Sequence, residues 1–494
     1  MGESAKFGLL GSLFARSVRD NVIGEAVVQA LRLLGLAVLA SLVTPEDFGL
    51  FRILVVVALV AALAAEAGIP EAFIQRPELR GEHESTAFWM SVGSAALVAG
   101  LLYLAAPWAA QALAMPPLRG GIRLLCLPVF VEGVSAIPNA RLRRELRFSL
   151  LAMAEVVAEL AFLAAALVFV RRGLVRSALG AALAARYTVH GLALLALSPA
   201  AKAGRPRAAA ARELGRFALA GLGGRLLGAA SSNAEPLLIG RFLGVRALGL
   251  YTMAWGLLRF AHDRLYKVAG RVTLPAFCRL QDSDRELAGT YLHFFDRSAR
   301  LLLPVAGVLA VGAREALGGL YGPHWAGAAV PLQLLAPGMA VASLKVATGS
   351  VYYAKGRPGF DFYLSCARLV MVVCVLALVA NGGLYRVSAA LGLVEGVVGV
   401  GGQYLACRLL KLRLTQLARA ALPALGLCLL CTLAALAGRT LAARAPLDAP
   451  FSLAAVVIAP AAIFCLLELA TLRAWLAEAF TRARPSQLTG TLGG

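Results

Sequence analysis

From residue 21 to residue 472 long apolar stretches alternate with short polar ones. Each stretch approaches or exceeds the roughly twenty apolar residues that cross the hydrocarbon of a bilayer. The pattern predicts about fourteen transmembrane helices, near 21–43, 50–70, 86–108, 118–138, 148–170, 174–197, 215–239, 247–270, 299–320, 328–352, 360–381, 385–407, 419–442 and 451–472. It is weakest at 118–138 and 299–320, where Pro128 and Pro304 interrupt it. The expected fold class is an all-α polytopic membrane protein.

Composition agrees, since 60% of the 494 residues are hydrophobic and 15% are charged, against the roughly 25% charged that is usual in soluble domains. Fifty glycines suit helices that pack closely in lipid. The formal net charge of +21 is a matter of topology before partners, and nucleic acid is a poor reading for such a chain. Thirty Lys and Arg residues fall in segments on the same side as the N-terminus and 12 on the other, so both termini are expected in the cytoplasm. Residues 1–20 show no small-residue cleavage site, and insertion is expected to depend on the first spanning helix. Cys428 and Cys431 form a C-x-x-C inside an apolar run without a second pair or nearby His, and read as small buried hydrophobes. No metal or other cofactor is expected.

The longest polar connection, 198–214, is basic and rich in Ala, Gly and Pro, as a cytoplasmic linker is. It predicts a lobe of six helices at 1–197, a second six-helix lobe at 215–407, and two further helices with a cytoplasmic tail at 408–494. A repeat supports the division. Leu42-Val-Thr-Pro-Glu-Asp-Phe-Gly-Leu-Phe51 is echoed by Leu243-Gly-Val-Arg-Ala-Leu-Gly-Leu-Tyr251, and each opens an apolar helix closed by Pro70-Glu-Ala-Phe73 or Pro275-Ala-Phe277. Six helices separate the copies, so the lobes are parallel repeats about an axis along the membrane normal. Thr44-Pro45-Glu46-Asp47 reads as a helix start, with a hydroxyl cap, an early Pro and two carboxylates on the positive end of the dipole. The segment 281–286 and the residues after it read as a cytoplasmic amphipathic stretch.

Several of these motifs resemble one family. Thr44-Pro-Glu-Asp-Phe-Gly-Leu50, Ile74-Gln-Arg-Pro-Glu78, Ser85-Thr-Ala-Phe-Trp89, Leu238 to Tyr251 and Leu274 to Asp282 are similar to the polysaccharide transporter family of the multidrug/oligosaccharidyl-lipid/polysaccharide flippase superfamily. Gly322-Pro-His-Trp325 and Tyr353-Ala-Lys-Gly-Arg-Pro358 extend the likeness, which covers roughly residues 15–410. Glu235-Pro236 departs from it, because relatives commonly have Asp there. The resemblance implies a MATE-like fold and a Wzx-type flippase that moves a polyprenyl-pyrophosphate-linked oligosaccharide across a bacterial inner membrane for O-antigen, capsule or exopolysaccharide synthesis. Glycan polymerase and chain-length machinery are the partners it implies.

Six cations lie inside the spans: Arg32, Arg186, Arg225, Arg259, Lys345 and Arg368. A cation in hydrocarbon is costly and is kept where it faces a polar cavity or a partner. Arg32, Arg225 and Arg259 fall near the midplane, where a two-lobed transporter holds its substrate. An arginine fork can hold the oxygens of a pyrophosphate bidentately. Arg32, Arg259, Arg225, Lys345, Arg368 and Arg52 at the outer mouth are therefore the candidate cavity residues. Arg186 is expected instead to pair with Glu159, and His190 with Glu155, because each couple lies at equal depth on antiparallel neighbouring helices. Glu25, Glu66, Glu235 and Glu395 are the candidate ion-coupling carboxylates.

Two rivals share the fold: a multidrug exporter, whose cationic substrates such a cavity repels, and a flippase for a peptidoglycan precursor. A membrane glycosyltransferase or polymerase needs an acid/base or metal-binding loop outside the bilayer. The short outer loops contain no paired-carboxylate loop, so no enzyme is expected.

Overall fold

The structure is a computed structural model, and it describes residues 24, 26–32, 34–35, 38–76, 81–198, 204–444 and 449–482. Every regular element among them is helical, the one open-chain solution that satisfies the backbone inside lipid. The residues described between Gly24 and Leu42 form a leading helix. It is followed by α1 (Pro45–Glu66), α2 (Ile69–Gln75), α3 (Gly81–Ala112), α4 (Leu118–Leu124), α5 (Cys126–Val134), α6 (Ala136–Arg144), α7 (Phe148–Arg171), α8 (Val175–Leu197) and α9 (Ala208–Leu243). The chain continues with α10 (Val245–Arg279), α11 (Asp284–Val311), α12 (Ala313–Tyr321), α13 (Ala329–Ser343), α14 (Thr348–Ala354), α15 (Gly359–Val379), α16 (Gly383–Leu409), α17 (Leu414–Arg444) and α18 (Ala449–Arg482).

Among the described residues nine helical segments are long and apolar enough to cross a membrane, or ten if one bent pair is a single span. Three of the expected spans differ in detail, the two weak ones and 328–352, which the 3-10 turn Leu344–Ala347 divides. The span expected at 118–138 is three short helices, α4 to α6, broken at Leu125 and Ser135. The span expected at 299–320 begins earlier and ends sooner. Residues expected to form a separate amphipathic segment, among them Leu287, Tyr291 and Phe295, are buried within the first turns of α11, and the helix bends by 81° at Gly312 into α12. Ser283 caps α11 by accepting a hydrogen bond from the Glu286 amide. The Thr44 hydroxyl accepts one from the Asp47 amide at 3.3 Å and so starts α1 as its motif predicts.

Contacts divide the chain into two compact units, residues 1–249 and 250–494. In the first, α9 packs against α1, α2 and α3, so this unit extends beyond the polar connection at 198–214. In the second, α17 runs along α11, and α13 along α16. At the latter contact a β-carbon at Gly338 would strike the backbone of Gly392, so the two helices touch through glycine.

The repeated motif has a structural counterpart. A β-carbon at Gly49 would strike the carbonyl oxygen of Val245, and one at Gly249 would strike that of Pro45. The repeat aligns 45 with 245 and 49 with 249, so the two copies meet reciprocally, each glycine under the other's first turn. The helix ends also correspond. In the first unit the Arg144 guanidinium donates to the carbonyls of Phe73 and Arg76, at 3.1 and 2.6 Å. In the second, Lys355 donates to the carbonyl of Gln281 at 2.7 Å, four residues beyond Phe277. Cys428 and Cys431 sit between helices as thiols, donating to the carbonyls of Leu303 and Pro460.

Candidate functional site: intramembrane charge clusters

In the first unit, Glu155 and Glu159 lie one turn apart on α7, and Arg186 and His190 one turn apart on α8. Residues at this spacing share a helix face, so the packing of α7 on α8 brings polar pairs together. Arg186 Nε lies 3.2 Å from Glu159 Oε2. The same oxygen accepts a hydrogen bond from Arg32 Nε at 3.2 Å, and Arg32 Nη2 is 3.7 Å from Glu155. His190 Nδ1 lies 3.0 Å from Glu132 on α5, and this replaces the expected pairing with Glu155. Equal depth brings Glu155 and His190 to one level but does not make them partners, because the leading helix and α5 also reach it and supply Arg32 and Glu132. Glu132 escaped notice in the sequence although it is a carboxylate within a predicted span, which is the signal that should have found it. A cavity of about 250 Å³ opens beside the cluster, lined by Asn139, Arg143, Glu155 and His190 among others.

Arg225 reaches Glu66 at the end of α1 (2.9 Å) and Glu71 on α2 (2.6 Å). It spans the turn where Ala67 and Gly68 take positive φ, 51° and 74°, and so ties α9 across the break between α1 and α2. Glu66, a candidate ion-coupling carboxylate, is thereby part of an ion pair. Arg52 donates to Asn233 at 3.1 Å, and Glu235 is buried on the same helix as Asn233. Glu25 lies outside the described residues. At the membrane edge of this unit the exposed carboxyl of Glu213 is held below its ordinary value by the hydrogen bond it accepts from Arg76.

In the second unit, Arg259 pairs with Asp263, one turn along its own helix, at 3.1 Å. Arg368 pairs with Glu395 at 2.5 Å, again joining a candidate cavity residue to a candidate ion-coupling one. Lys345 differs from all of these. It lies in a 3-10 turn, Leu344–Ala347, which breaks the apolar segment between α13 and α14, and a mid-helix 3-10 stretch often marks a functional hinge. Its ammonium makes no hydrogen bond or ion pair among the described residues; Glu395, Asp361 and Arg368 are the charges that bear on it. His262, stacked on Tyr266, has a buried Nδ1 without a partner among the described residues. The described residues contain no group of His, Cys, Asp and Glu suited to a metal ion.

This architecture, two helical units with charges buried at mid-span, defines a multi-pass membrane protein of transporter type. Comparison with known proteins gives the family. Residues 38–330 match the polysaccharide biosynthesis protein family, and the chain belongs to it. It is similar to the teichuronic acid biosynthesis protein TuaB of Bacillus subtilis, 22% identical over 80% of this chain and 82% of the relative. It is also similar to the lipopolysaccharide biosynthesis protein WzxC of Escherichia coli, 24% identical over 76% of each. Among solved structures, the lipid II flippase MurJ in its inward closed conformation superposes with a TM-score of 0.68 at 11% identity, over 92% of this chain and 100% of that one. An inward-facing multidrug resistance MATE transporter gives 0.62 at 15% identity, over 79% and 98%. The fold is that of these transporters.

Proposed function

We propose that the chain flips a polyprenyl-pyrophosphate-linked oligosaccharide across the bacterial inner membrane by alternating access, with both termini in the cytoplasm, and that it is not an enzyme. The family and its named polysaccharide relatives support the cargo class, and the fold supports transport. The observation that carries the reading to residues is Lys345, an intramembrane cation at a helix break with no ion-pair partner among the described residues. An unpaired cation at that depth fits an anionic cargo and repels a cationic drug. Arg259 of the same unit, whose contact is with Asp263 one turn along its own helix, is its companion.

The test is surface polysaccharide in a strain lacking its own flippase, with membrane protein level measured in parallel. A hydrogen bond to a charged group contributes about 1.5–3 kcal/mol, so Lys345→Met should cut transport about ten- to a hundredfold, while Lys345→Arg keeps a substantial part. Undiminished output from Lys345→Met at normal protein level would sink the assignment. Rescue of cells lacking their peptidoglycan-precursor flippase, without any polysaccharide phenotype, would redirect it to that cargo.

A further inference from the structure

Five of the 12 basic residues on the side away from the termini belong to two connections: Arg119 and Arg123 on α4, and Arg171, Arg172 and Arg176 around the α7–α8 turn. The positive-inside bias disfavours such a gathering there. None of the five has an ion-pair partner among the described residues, and the buried Nε of Arg123, stacked over Tyr103, has no acceptor. Between the two connections runs a groove of about 570 Å³, walled by Leu54 of α1, Leu118 and Leu124 of α4, and Leu174 at the head of α8. Gly120, Gly121 and Gly180 keep it wide, and among the described residues its polar side chains are Arg176 and Ser177. Its volume is in the range of pockets that enclose a small organic ligand.

An apolar trough beside unpaired guanidiniums, at the level where spans end, matches a lipid with an anionic headgroup. The groove offers almost nothing to a sugar's hydroxyls, so the glycan-bearing cargo is the poorer match. We propose that it holds one acyl chain of an anionic phospholipid of the outer leaflet, with the phosphate against Arg171, Arg172 and Arg176. Arginine forks fit phosphate oxygens, and the stems of these side chains can lie along the leucines while their heads stay at the interface.

The experiment is native mass spectrometry of the purified full-length chain, titrated with phosphatidylglycerol and with phosphatidylcholine of matched chains. Each basic residue near an anionic lipid is worth roughly fivefold in binding, so three predict a preference for phosphatidylglycerol on the order of a hundredfold. The triple variant Arg171→Gln, Arg172→Gln, Arg176→Gln should lose that preference, and the corresponding triple Lys variant should keep most of it. Gly120→Trp should abolish the bound lipid without disturbing the helices, because a β-carbon at Gly120 meets nothing within 4 Å. Equal binding of the two lipids by the wild type, or tight phosphatidylglycerol binding by Gly120→Trp, would overturn the proposal. So would polyprenyl phosphate displacing phosphatidylglycerol at equal concentration in the wild type but not binding to Gly120→Trp, since the groove would then belong to the lipid of the cargo.

Discussion

Removing the charge of Glu159 should expose how the first unit balances its buried cations. Its carboxylate is 6% exposed and lies 3.2 Å from both Arg32 and Arg186, whose side chains are 35% and 31% exposed. At an effective dielectric of about 20, each contact corresponds to about 5 kcal/mol of attraction. Desolvating the carboxylate takes back several kcal/mol, and the partial exposure of both arginines discounts the rest further. Glu159→Gln leaves Arg32 with Glu155 but strips Arg186 of its carboxylate, so a loss of about 2–3 kcal/mol is expected. Arg186→Gln leaves Glu159 with Arg32 and should cost less, about 1–2 kcal/mol. In the double variant Arg186 no longer needs a counter-charge. Its cost should therefore fall short of the sum of the singles by about 1 kcal/mol or more, the coupling energy of the pair. The assay is the fraction of protein remaining folded and monodisperse in lipid nanodiscs after heating, since such proteins unfold irreversibly. A double variant as unstable as the two single losses added together would show that the short distance carries no coupling, and the reasoning from depth to pairing would be wrong.

Four further outcomes are expected. A cysteine at Ala209, exposed at the start of α9, should label from the cytoplasmic side only; labelling in intact spheroplasts would invert the topology. Gly249→Leu should drive its side chain into the backbone of Pro45 and lower folded yield sharply, by about 1–3 kcal/mol or more as for an overpacked core, whereas Gly256→Leu, with open space at its β-carbon, should be tolerated when both are compared by size-exclusion profile. Arg225→Gln should loosen the turn between α1 and α2 and destabilise by about 1–3 kcal/mol, with Glu66 left without its cation; thermal shift measures it, and an unchanged midpoint would make the tie incidental. Arg32→Ala should lower stability as well as transport, because Arg32 neutralises Glu155 and Glu159; loss of transport at full stability would restore it to the role of a free cavity cation.

Most of the spans, the helix start at Thr44 and the repeat were legible in the amino-acid sequence because each rests on local physics. Hydrocarbon sets the length of an apolar run, a hydroxyl before Pro45 and Asp47 caps a helix, and a duplicated motif is visible as text. The pairing of Arg186 with Glu159 was legible for a similar reason, since helices adjacent in sequence pack antiparallel and depth can be counted from their shared turn. Arg32 and Arg225 were not, because their carboxylates come from helices far away in sequence, and only packing brings Glu159 or Glu66 within reach. The same holds for His190, whose two possible partners differ by a choice of neighbour that counting cannot make. The breaks at Leu125, Ser135 and Gly312 also belong to tertiary structure, because a proline suggests where a helix is weak while the neighbours that pack there decide where it bends. Hydropathy and depth thus placed six cations within the predicted spans. Which of them meet a carboxylate, and that Lys345 meets none among the described residues, was decided by the distances that folding set.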